Sequence, residues 1–125
     1  MSDSSDSCVL KVNGLNLWAH VGILEQERIY GQSFLLDFTI SLDLKDAVNN
    51  DDLMSSVDYS IAIVQIQQLS LSITCKTIEY FSEQILDLLE SLYGNLPIEI
   101  TLTKCSPPIA GFNGSVAITR NRNIT

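Results

Sequence analysis

The chain has 125 residues, 46% of them apolar and 18% charged, and its 15 acids outnumber its 7 bases for a net charge of −8. That length suits one domain with a real core, and the acidic balance excludes the basic footprint that nucleic acid or an anionic membrane surface requires. No apolar run reaches membrane-spanning length, and a single histidine, His20, rules out a three-histidine zinc site.

Met1 to Ser7 is rich in Ser and Asp, with neither a basic nor an apolar segment, so it reads as a tail rather than a signal peptide. Cys8, Cys75 and Cys105 are odd in number and lack C-x-x-C spacing, as expected of reduced thiols in a cytoplasmic protein. A nucleophile pair of Cys105 and His20 has no local support in the sequence.

Cys8 to Gly22 reads as a first long strand, in which Leu15, Leu17, Ala19 and Val21 alternate with Asn16, Trp18 and His20, and Gly14 marks a bulge. Gly22 to Gly31, which carries Glu25, Glu27 and Arg28, reads as a polar loop. Ser33 to Leu44 is the clearest strand: Phe34, Leu36, Phe38, Ile40, Leu42 and Leu44 share one face, opposite Ser33, Asp37, Thr39, Ser41 and Asp43, with Leu35 the only exception. Asn49, Asn50, Asp51 and Asp52 form a turn-rich link.

Two helices follow. The first is expected over 60–69 with Ile61, Val64 and Leu69 facing inward. The second is expected over 78–93, with Ile78, Phe81, Ile85, Leu88, Leu89 and Leu92 at helical spacing, Thr77 as N-cap and Gly94 closing it. Glu79 falls in the first turn, where the helix dipole alone favours an acid.

Ile98 to Gly111 opens as a strand, with Ile98, Ile100 and Leu102 on one face and Glu99, Thr101 and Thr103 on the other. Lys104 then takes an apolar-face position, and Pro107 and Pro108 stop the strand. From these residues alone, Lys104 is either a lysine snorkelling at a strand end or a functional amine held at the rim of the core. Ser115 to Arg122 makes the last strand, with Val116 and Ile118 inward. The expected architecture is α+β: a four-stranded, mostly antiparallel sheet with two helices on one face, in the order ββααββ. No repeat or second domain is visible, so one domain spans 8–122, with tails at 1–7 and 123–125. Long strands leave long edges, which favours pairing between subunits.

Four segments in order resemble the dihydroneopterin aldolases. They are Gly22-Ile-Leu-Glu-Gln-Glu27-Arg-Ile-Tyr-Gly-Gln32, Asp51-Asp-Leu-Met-Ser-Ser-Val-Asp-Tyr59, Thr77-Ile-Glu79, and Lys104-Cys-Ser-Pro-Pro-Ile-Ala-Gly111. The resemblance covers roughly residues 8 to 122. It implies the T-fold, in which subunits join their sheets into a barrel ring and two tetramer rings stack into a homo-octamer. It implies Lys104, Tyr59 and Glu27 as catalytic residues, and Glu79, Ile78, Glu27 and Tyr59 as binding residues for a pterin. Glu79 would accept the guanidine-like edge of the ring. No metal and no cofactor is implied, because the pterin's own C6=N5 unit accepts the electrons of a retro-aldol cleavage. Tyr59 would enter the pocket from the adjacent chain.

Val21, Ala110 and Phe112 depart from the family's usual histidine, third proline and histidine. They leave the 2′-epimerase reaction, on the free or the triphosphate substrate, as an alternative activity. A non-catalytic pterin-binding subunit is the alternative of another class. The chain offers few cations near the site for a triphosphate beyond Lys104 and either Arg28 or Lys76, which favours the unphosphorylated substrate.

Overall fold

The computed structural model describes residues 7–43 and 58–124. Leu44, the Asn49–Asp52 link, Asp51 to Val57 of the second quoted segment and most of the N-terminal tail lie outside the described residues. The elements are β1 (Ser7–Val21), α1 (Glu25–Tyr30), β2 (Gln32–Asp43), α2 (Tyr59–Ser72), β3 (Thr74–Cys75), α3 (Ile78–Tyr93), β4 (Ile98–Lys104) and β5 (Val116–Arg122).

The sheet runs β3-β1-β2-β4-β5, antiparallel except where β3 lies parallel to the end of β1. Alternation places Leu17, Ala19, Val21, Phe34, Leu36, Phe38, Ile40, Leu42, Ile98, Ile100 and Leu102 in the core under the helices. The other face is mostly polar, with Val9, Trp18 and Leu35 as its apolar exceptions. Gly14, at φ +76°, carries the expected bulge. Val12 pairs with Phe38 and Leu15 with Leu36, so β1 spends one extra residue there. That residue lets Leu10 and Val12 before the bulge, and Leu15 and Leu17 after it, all reach the same core.

Four features correct the sequence reading. The polar loop at 22–31 contains helix α1, closed by Gly31 at φ +77°, whose N–H donates to Glu27 O at 2.9 Å. Six residues are too few for helical periodicity to appear. Thr74 and Cys75 add a fifth strand, again too short to alternate. The first helix runs on to Ser72 and turns Ala62, Ile66 and Ser70 inward, leaving Ile61 and Val64 exposed. Apolar residues circle this helix, so spacing did not select the face. Finally, Val116 is exposed and Ile118 only half-buried. Beyond them β5 meets α3 through charge: Arg120 and Arg122 both pair with Glu83, and Arg122 also reaches Asp87 and Glu90.

The strongest sequence expectation, α3, has its expected bounds. Thr77 Oγ1 accepts from Tyr80 N at 3.1 Å, and Gly94 N–H donates to Glu90 O at 2.8 Å. Phe81 on this helix meets Phe34 of β2 edge-on, with ring centroids 5.3 Å apart.

Candidate active site

Register gathers three strand ends at one place. Ala19 of β1 opposes Gln32 at the start of β2, and Phe34 of β2 opposes Lys104 at the end of β4. The helix α1 sits on this end, between β1 and β2. The start of α3 is tied there too, because Gly22 N–H donates to Cys75 O at 3.0 Å, two residues before Thr77.

Lys104 is the residue that alternation sends to the core and chemistry keeps out of it. Its Nζ lies 2.7 Å from Glu27 Oε2, with side-chain exposures of 18% and 6%. A carboxylate this enclosed must have its lone pairs satisfied. Leu24 N–H donates to Oε1 at 3.0 Å, and Gln32 Nε2 donates to Oε2 at 2.8 Å. Burial pushes the Glu27 carboxyl up, but the hydrogen bonds from Lys104, Gln32 and Leu24 outweigh it, and the group titrates below the ordinary glutamate range. Glu27 therefore stays an anion. A cleft of about 270 Å³ opens beside it, lined by Gln26, Glu27, Tyr30, Gln32, Ser106 and Pro108 among others.

Around the pair, Arg28 donates from Nη1 to the carbonyls of Gly22 and Ile23 at 2.8 and 2.7 Å, which fixes the chain entering α1. His20 Nδ1 lies 2.9 Å from Arg28 O. Gly22 is buried directly under Glu27: a Cβ there would collide with that side chain. Gln32 and Gly22 were not singled out from the sequence. They bound the first family-like segment, each five residues from Glu27, but neither carries chemistry until α1 folds.

Ile78 is half-buried and Glu79 exposed, at the start of α3 on this same end of the sheet. Tyr59 is elsewhere. It opens α2 and is 53% exposed. That helix ends at Ser72, next to β3 and hence to the site end, and 14 residues of helix span about 20 Å. Asp58 at the far end accepts from Tyr93 Oη, on the last residue of α3, at 2.5 Å. Among the described residues, neither Tyr59 nor Glu79 makes a hydrogen bond or ion pair with Glu27 or Lys104.

A buried carboxylate that lines an open cleft and grips a largely buried amine is the kind of arrangement in which protons can be moved on a bound molecule. Comparison with known proteins gives the lineage. The family model described as FolB, dihydroneopterin aldolase, matches residues 10–121. This chain belongs to the dihydroneopterin aldolase family. A probable dihydroneopterin aldolase of Synechocystis is 33% identical over 109 residues, covering 87% of this chain and 92% of the relative. The dihydroneopterin aldolase of Staphylococcus epidermidis is 28% identical over 111 residues, covering 88% and 92%. Among solved structures, E. coli dihydroneopterin aldolase in complex with neopterin superposes with a TM-score of 0.82 at 18% identity, covering 92% of this chain and 98% of that one. A Burkholderia dihydroneopterin aldolase bound to guanine gives 0.72 at 14%, covering 94% and 92%. The fold is therefore the α+β fold of these enzymes.

Proposed function

We propose that this chain cleaves 7,8-dihydroneopterin by a metal-independent retro-aldol reaction, giving 6-hydroxymethyl-7,8-dihydropterin and glycolaldehyde. The observation that carries the reading is the enclosed Glu27–Lys104 pair, 2.7 Å apart, whose carboxylate lines an open cleft. In the reaction, the proton of the 2′-hydroxyl leaves and the C1′–C2′ bond breaks to release the aldehyde. The bond's electrons form C1′=C6 and displace the C6=N5 pair onto N5, which takes a proton. The enamine then gains a proton at C1′ and loses the one on N5. No electron acceptor beyond the ring is needed. Only proton transfer is asked of the protein, and Lys104, Tyr59 and a water supply it. Glu27 stays ionised and holds the amine at the cleft. Glu79, with Ile78 beside it, takes the guanidine-like edge of the pterin. Arg28 spends its guanidinium on two backbone carbonyls, which supports a substrate without phosphate.

One pocket needs two chains on this reading. Tyr59 stands a helix length from Lys104 within the chain, so the tyrosine that completes a pocket comes from a neighbour. Edges for such assembly are present: β3 covers only the end of β1, and β5 is the opposite edge. Exposed Ile23, Leu24, Ile29 and Tyr30 crowd the site end. A homo-octamer of two stacked four-membered rings, each closing its sheets into a barrel, accommodates both. Free Cys8, Cys75 and Cys105 suit a reducing cytoplasm.

The test is purified protein with 7,8-dihydroneopterin and a chelator. Equal amounts of glycolaldehyde and 6-hydroxymethyl-7,8-dihydropterin are expected. Neopterin binding without either product would leave a pterin-binding subunit; a 2′-epimer as the main product would leave an epimerase.

A further inference from the structure

The residue that fixes the direction of the Glu27 carboxylate lies outside the proposed machinery. Gln32 opens β2 in register with Ala19 of β1, so its backbone belongs to the sheet. Its amide nitrogen donates to Val21 O at 2.7 Å and to Glu27 Oε2 at 2.8 Å. Both partners are acceptors, so the nitrogen, not the oxygen, must face them. Both hydrogens are thereby used, one on the end of β1 and one on the carboxylate. The same Oε2 receives Lys104 Nζ, while Oε1 receives Leu24 N–H. Glu27 itself stands on a six-residue helix, too short to be stable alone and dependent on its ties to the sheet. Without Gln32, Oε2 would have Lys104 as its only donor, and the pair could swing together toward the cleft.

We infer that Gln32 is a positioning residue: it anchors Glu27 to the ends of β1 and β2 and, through that carboxylate, sets where Lys104 stands at the cleft. The inference rests on the proposed proton-transfer role of Lys104. A displacement near 1 Å at a reacting centre is enough to cost about a hundredfold in rate. The charged and titratable groups around Glu27 are Lys104 from β4, His20 from β1 through Arg28 O, and Glu25 and Arg28 on its own helix. Of these only Lys104 contacts the carboxylate. Gln32 is the neutral side chain, and Leu24 N–H the backbone group, that help Lys104 hold the titration of Glu27 low.

Gln32→Met keeps the length and removes the donor. Turnover should fall about tenfold to a hundredfold while KM for dihydroneopterin stays within about threefold. The acid limb of the rate profile should move to higher pH, because Glu27 has lost a donor to its charged form. Gln32→Glu sets a second carboxyl against Glu27, and such a pair shares one proton. That proton restores a donor, so Gln32→Glu should regain ground on the wild type as pH falls while Gln32→Met loses it. This comparison stands even if the methionine variant fails to assemble, since the glutamate variant is then read against wild type alone. Wild-type turnover and an unmoved acid limb in assembled Gln32→Met would overturn the inference, as would a Gln32→Glu deficit that is the same at every pH. The Glu27 carboxyl, followed by carbon NMR without substrate, separates this from the proposed reaction. If wild type makes no glycolaldehyde, the reaction is refuted and the carboxyl titration decides: an upward move in Gln32→Met supports the role, and no move overturns it.

Discussion

At Glu27, burial and hydrogen bonding pull in opposite directions. Burial alone would raise the carboxyl and favour its neutral form, but donors from Lys104, Gln32 and Leu24 win, and the group holds its proton less tightly than in an unfolded chain. The unfolded state therefore binds more protons between the two titrations. Stability from this group is full above the ordinary glutamate range and drains away as pH falls through the lowered folded value. Unfolding in denaturant should show an acid loss that Glu27→Gln removes, although Glu27→Gln is less stable at neutral pH. An identical acid limb in both proteins would contradict the pairing. Gly22 offers a steric check at the same place. A Cβ would meet not only the carboxylate but the root of the Glu27 side chain, which no rotamer relieves. Gly22→Ala should destabilise by about 1–3 kcal/mol and lower turnover with it, and wild-type stability in that variant would show that α1 shifts freely.

Each element was legible from sequence to the extent that its burial repeats. Strands β1, β2 and β4 alternate because one face is covered, and α3 carries one apolar stripe, so bounds and faces could both be read. Helix α2 has Ile61, Ile63, Val64, Ile66, Leu69 and Leu71 around it, and only the packed fold selects Ala62, Ile66 and Ser70. Denaturant unfolding tests that choice: Ile66→Ala should cost about 2–5 kcal/mol, whereas Val64→Ala should stay within about 0.5 kcal/mol in the isolated subunit. Comparable losses would restore the face expected from sequence. The segments α1 and β3 are too short for a pattern to repeat: six residues make fewer than two helical turns, and two residues make one strand period. Arg120 and Arg122 dock β5 on α3 with ion pairs, a contact that apolar patterning does not register. The candidate site was readable in part for the same reason. Lys104 broke an alternation and so announced itself, whereas Glu27 looked like one charge of a solvated loop until α1 turned it inward.

For the whole molecule the decisive dimension is the length of α2. It puts Tyr59 a helix length, about 20 Å, from the end of the sheet at which β4 stops with Lys104. Unfolding and refolding Tyr59→Ala together with Lys104→Ala in equal amounts should restore about a quarter of the pockets, from random placement around a closed ring. A mixture shown by mass spectrometry to be hetero-oligomeric, yet inactive, would place both residues of each pocket in one chain.

One preparation of Lys104→Ala tests the role proposed for this lysine most directly, by two readings: turnover of 7,8-dihydroneopterin and the Kd for neopterin by calorimetry. Loss of the proton-transfer group proposed at Lys104 should lower turnover by about a hundredfold or more while Kd moves only a few-fold, since Glu79, the residue proposed to hold the ring, is unchanged. Wild-type turnover, or a loss matched by an equal loss of neopterin binding, would contradict it.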